Sequence, residues 1–137
     1  MTTTTPHEAL IYLMVVTSAS DREMADLELS GIGDIVRSWP VFEDFDAGRL
    51  IAVAQDCQRL VGRANGLDAV LDIVRVSVPE RLHDTAYALA VEVAAADREM
   101  RLEEVRVIQL LRHRLVLDPA IALAIERGAK ARYRTLT

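Results

Sequence analysis

Apolar residues recur every three or four positions along most of this chain, and that spacing predicts helices. Leu10, Leu13, Met14 and Thr17 mark the first, which Thr5 caps, Pro6 opens and Ala19 closes. A second is expected from Ala25 to Arg37, with Leu29, Ile32 and Val36 inward and Pro40 as its stop. Leu50, Ala54, Cys57 and Val61 form a clean stripe on a third, capped by Asp46. Cys57 reads there as a small core residue. Asn65-Gly66 breaks the chain before a fourth helix carrying Leu67, Val70, Leu71 and Val74. Pro79 is read as the first residue of a fifth, with Leu82, Ala86, Leu89 and Val93 inward. Val105, Ile108, Leu111 and Leu115 place a sixth, and Asp118-Pro119 starts a seventh that runs to about Arg134.

No stretch alternates with period two for long, so no sheet is expected. The reading is all-α: about seven helices in an orthogonal bundle. Residues 1–6 read as a flexible leader and 7–137 as one domain. The connector Ser38–Leu50 holds the sole Trp and both Phe residues, and Trp39, Phe42 and Phe45 are expected to plug the edge of the core.

The chain also repeats itself. Asp21-Arg22-Glu23-Met24 returns as Asp97-Arg98-Glu99-Met100, 76 positions later. At the same offset Leu13 falls on Leu89, Val15 on Val91, Glu28 on Glu104 and Ile32 on Ile108. Asp46–Val61 answers Asp118–Arg134 more loosely. Two three-helix units, 7–62 and 80–135, are therefore expected, with the fourth helix between them. A pseudo-two-fold axis is the usual way such copies close.

Two readings of the repeated acidic turn follow. In one, Asp21 and Asp97 cap the next helix, at roughly 1 kcal/mol each. In the other they lie in a loop and reach towards Glu28 and Glu104. Hard cations such as Ca²⁺ take about 6–8 oxygen ligands, and these carboxylates supply some of them.

Composition narrows the field. The chain of 137 residues carries a net charge of −5, so it lacks the basic stripe of a nucleic-acid binder. Arg112, Arg114, Arg127, Lys130, Arg132 and Arg134 do gather late, where cations complement helix dipoles. One cysteine fits a reducing compartment, and no signal-peptide pattern precedes the apolar run at Ala9–Val16. His7, His83 and His113 stand far apart, and no phosphate loop or nucleophile elbow is present, so an enzyme is not expected.

The segments ALIYLMVVTSASDREMADLELSGI and AYALAVEVAAADREMRLEEVRVIQLL resemble the TerB-like family, over about Ala9 to Arg134. That family is known from tellurite-resistance operons and from the membrane-proximal part of a DnaJ-type co-chaperone. The resemblance implies an internally duplicated helical fold. It also implies a divalent cation, Ca²⁺ foremost, held by Asp21 and Glu28 and by Asp97 and Glu104. Glu103 is an adjacent candidate. Arg22 and Arg98 stand where many members carry Gly, and pairing of either with a Glu of the opposite unit is the alternative. The implied role is a non-catalytic cytoplasmic module in stress-response complexes, peripheral to the inner membrane. A pure protein-interaction scaffold, with the acidic turns as helix caps, is the competing expectation.

Overall fold

The computed structural model describes residues 4–18, 26–96 and 102–137; of residues 26–30 it describes the backbone alone. Seven α-helices and no strand occur among these residues: α1 Pro6–Ser18, α2 Asp26–Ser38, α3 Leu50–Val61, α4 Gly66–Ser77, α5 His83–Ala96, α6 Leu102–Leu115 and α7 Pro119–Arg132. None is long and apolar enough to cross a membrane.

The first helix is set at its entry by reciprocal capping. The Thr5 hydroxyl accepts from the Glu8 amide (3.1 Å), and the Glu8 carboxylate accepts from the Thr5 amide (3.0 Å). That bond and the Arg49 guanidinium hold the Glu8 carboxyl below its ordinary pKa against the opposing effect of burial. From there α1 runs through the centre. Ala9, Leu10, Ile11, Leu13, Met14 and Val15 are all buried, so it has no polar face to speak of. A helix apolar all round is a core helix, and α1 packs on α3, α4, α5 and α6. Thr17 is buried within it, and its hydroxyl donates to the Leu13 carbonyl (2.7 Å).

The fifth helix is the second spine. Ala86, Tyr87, Leu89, Ala90, Val91 and Ala94 are buried, and α5 packs on α1, α6 and α7. Shifted by 76 positions, α2 coincides with α6 at its first residue, and α1 falls within one or two residues of α5. The packing recurs too: α3 rests on α1 as α7 rests on α5. α4 has no such counterpart and bridges α1, α3 and α6.

The two units differ in what joins their second and third helices. Between α2 and α3 lie eleven residues, Trp39–Arg49, wound into the 3-10 turns Pro40–Phe42 and Ala47–Arg49. Phe42 is buried, and Phe45 and Trp39 are half-buried against the core, as expected of a plug. The His7 ring lies 5.8 Å from Phe42 and 5.5 Å from Phe45, and its Nε2 is 2.9 Å from the Val41 carbonyl. Between α6 and α7 there are only three residues, Val116–Asp118. The turn is tight enough to hold Val116 in the left-handed region, at φ 50°, which a β-branched residue adopts at a cost.

Three expectations are corrected. Val61 does not close the α3 stripe: it is 40% exposed, because the helix ends there and turns away from the core. Asp46 caps the 3-10 turn ahead of α3, accepting from the Gly48 amide (2.9 Å), and not α3 itself. Pro79 precedes a 3-10 turn, Glu80–Leu82, so α5 opens at His83; the His83 ring meets the Val78 carbonyl (2.9 Å). Asp118 caps α7 as read, accepting from the Ala120 amide (2.8 Å), but the helix stops at Arg132. Cys57 is fully buried, donates towards the Tyr12 carbonyl (3.6 Å), and burial pushes its thiol up to about 12.

Candidate functional site

Of the four acidic residues singled out by the repeat, Asp21 and Asp97 lie outside the described residues, with Arg22 and Arg98. So does the side chain of Glu28. Its backbone is the third residue of α2, and Glu104 is the third residue of α6. Glu104 is 2% exposed, is not a free carboxylate, and is the only buried charged side chain among the described residues. Neighbouring Glu103 is exposed. No group of three His, Cys, Asp or Glu residues with metal-site spacing occurs among the described residues.

A second site is fully described. The helices α6 and α7 both rest on α5 yet hardly touch each other. The space between them is a cleft of about 930 Å³, within the range of small-molecule and peptide sites. Its floor is apolar: Val91 and Ala95 from α5, Val105 and Ile108 from α6. Val105 and Ile108, which belong to the apolar period that places this helix, are half-buried, and Val107 with Leu111 and Leu115 takes the inward face. Helical spacing identifies an apolar face; it does not say whether a neighbour covers it.

One polar cluster closes the end of the cleft nearest the α6–α7 turn. The Tyr87 hydroxyl donates to Glu126 Oε2 (2.6 Å), and Arg112 Nη1 approaches the same oxygen (3.4 Å). The Tyr87 ring is buried, so burial raises its pKa first, and the bond to the Glu126 carboxylate raises it further. At the opposite end Glu92 accepts from Arg132 (2.5 Å) and from the Tyr133 hydroxyl, tying the chain after α7 to α5. Lys130 and Arg134 line the rim and have no carboxylate partner among the described residues. The late basic residues therefore divide: Arg112 and Arg132 are engaged within the fold, Arg114 donates to the Asp68 carbonyl (2.9 Å), and Arg127, Lys130 and Arg134 have no carboxylate partner among the described residues.

Sequence reasoning did not single out Tyr87 or Glu126. They are 39 positions apart, and no local pattern links them. The one signal was a Tyr on a helix whose inward face is otherwise Ala, Leu and Val. A buried tyrosine needs a partner for its hydroxyl.

Replacing Tyr87 with Phe is expected to cost about 1.5 kcal/mol, since it deletes a bond to a charged acceptor and keeps the ring. The pH dependence has a definite sign. The folded phenol's pKa lies above its ordinary 10.0, so its contribution is intact below that pH and is lost as pH climbs past it. Urea melts from neutrality to about pH 11 should fall less steeply for Tyr87→Phe than for the parent above about pH 10. Parallel curves would show that this phenol is not the group responsible.

The chain matches no protein-family model, no curated protein and no solved structure.

Proposed function

We infer that this protein is a non-catalytic, cytoplasmic, TerB-like binding module, serving tellurite-resistance or other stress-response complexes at the inner membrane surface. Its binding surface is the cleft over α5. The observation that carries this reading is the apolar floor left between α6 and α7, rimmed by Lys130 and Arg134, which have no carboxylate partner among the described residues. An apolar concavity with a few convergent polar groups is the usual form of a binding site. The Tyr87 phenol holds its proton more tightly than an ordinary tyrosine and donates it in a hydrogen bond to Glu126, which suits a structural cluster better than a base or nucleophile.

Anilinonaphthalene sulfonate (ANS), apolar with one negative charge, is the generic probe for such a site. It should bind the folded protein saturably. Val105→Glu puts a carboxylate on the floor at a residue not packed against the core. It should cut ANS fluorescence by about fivefold while the melting temperature holds. Equal fluorescence from the two proteins would remove the cleft as the binding surface.

Glu104 favours a second reading, in which Asp21, Glu28, Asp97 and Glu104 hold a divalent cation, Ca²⁺ foremost. Glu104 already has a partner within the fold, so this reading rests on the repeated acidic spacing, with Glu104 as a carboxylate held inside the fold that a cation would join. Millimolar Ca²⁺ should raise the melting temperature by about 3 °C or more, and Asp21→Asn with Asp97→Asn should abolish the rise. Asn caps a helix well and is a weaker charged ligand, so the pair separates the two roles. An unchanged melt of the parent protein contradicts the cation.

A further inference from the structure

The cleft over α5 is charged against the balance of the chain. Acidic residues outnumber basic ones overall, 21 to 16. Along the cleft the balance reverses, with Arg112, Lys130, Arg132 and Arg134 set against Glu126 alone. Two of these cations are already met: Arg112 approaches Glu126 (3.4 Å), and Arg132 donates to Glu92 (2.5 Å). Lys130 and Arg134 are exposed and have no carboxylate partner among the described residues.

Those two stand beside the apolar floor. Tyr87 is tied to Glu126 and Glu92 to Arg132, so α5 and α7 run side by side in the same direction. Lys130 falls between the two ties and Arg134 just past the second, alongside Val91 and Ala95. Glu92 also accepts from the Tyr133 hydroxyl, which fixes the chain next to Arg134. On the facing wall Val105 and Ile108 offer only hydrocarbon. A recessed apolar floor with two unmatched cations on one wall suits a ligand with an apolar body and one acid group. A nucleic acid needs a longer basic track, and the acidic remainder of the surface repels it. A bilayer is flat, whereas this floor lies between two helices.

We propose that the cleft over α5 takes a small amphipathic acid, a single apolar tail ending in a carboxylate. The carboxylate meets Lys130 and Arg134, and the tail covers Ala95, Val105 and Ile108. This rests on the reading of the cleft as the binding surface and names the class of ligand it selects.

The probes are ANS and N-phenyl-1-naphthylamine, which has the same rings without the sulfonate, each titrated with the full chain. ANS should bind about tenfold more tightly than the neutral compound, the effect of one charge-assisted contact. Lys130→Glu with Arg134→Glu should abolish that difference and leave the neutral probe within about twofold, at an unchanged melting temperature, since both side chains are exposed. Monomeric decanoate should displace the neutral probe from the parent with a midpoint below about 1 mM, and from the double variant at about tenfold higher concentration. Equal binding of the two probes by the parent, or an unchanged decanoate midpoint in the double variant, overturns the proposal. If Val105→Glu releases both probes and the charge variant alters neither, the ligand class fails while the binding surface stands. If Val105→Glu releases neither, both fall. Two further results overturn the proposal by naming another occupant. One is self-association that Val105→Glu abolishes. The other is binding to phosphatidylglycerol vesicles, lost in the double charge variant, without displacement of the neutral probe by decanoate.

Discussion

Leu13→Ala is expected to lower the unfolding free energy by about 3–4 kcal/mol. Leu13 is fully buried on a helix with packed neighbours on all sides. Truncation removes the transfer free energy of the lost methyl groups and leaves a cavity that rigid neighbours cannot fill. A helix at the edge of the bundle could lean into the gap, but α1 cannot move towards one neighbour without leaving another. A domain of this size has about 5–15 kcal/mol to lose, so the variant should fold with a much lower urea midpoint. A loss below about 1 kcal/mol would mean that α1 is not the central helix.

Gly66→Ala should be comparably damaging, at about 3 kcal/mol, though no side chain is lost. Gly66 opens α4 directly after Asn65, which sits in the left-handed region at φ 58°. A Cβ on Gly66 would lie 2.5 Å from the Val61 carbonyl oxygen and 2.6 Å from the Val61 Cα. These are backbone atoms at the end of α3, so relief requires the α3–α4 corner to open. Gly62 is the internal control. A Cβ there meets nothing closer than 3.6 Å, and the backbone is right-handed at φ −68°. Gly62→Ala should be neutral or stabilising by about 0.5 kcal/mol, because alanine restricts the unfolded chain. Equal melts for the two variants would contradict the tight corner.

Much of this architecture was legible in the residues. Leu10, Leu13 and Met14, Val70, Leu71 and Val74, and Leu111 and Leu115 lie where their spacing put them, inside. Thr5 and Asp118 cap as read, because capping is local chemistry between residues two or three apart. What failed was the ends of elements and the contacts between them. Val61 fits the α3 stripe by spacing, yet lies exposed where the helix stops. Val105 and Ile108 have the right period for a core and still line a cleft, because burial depends on α7, which packs on α5 and hardly touches α6. The cluster of Tyr87, Arg112 and Glu126 draws on three helices and leaves no spacing signature. The repeat at Asp21 and Asp97 is plain in sequence, and both residues lie outside those described. Only Glu104 of that quartet has a described environment, and its burial was not expected of an acidic residue in an early helical turn.

The measurement that tests the binding surface most directly is a ¹H–¹⁵N chemical-shift map of the labelled protein titrated with ANS. The account predicts that the shifting amides cluster at Val91, Ala95, Val105, Ile108 and Lys130, the facing walls of the cleft over α5. Shifts gathered instead along α3 and α4, with those amides unmoved, would contradict it.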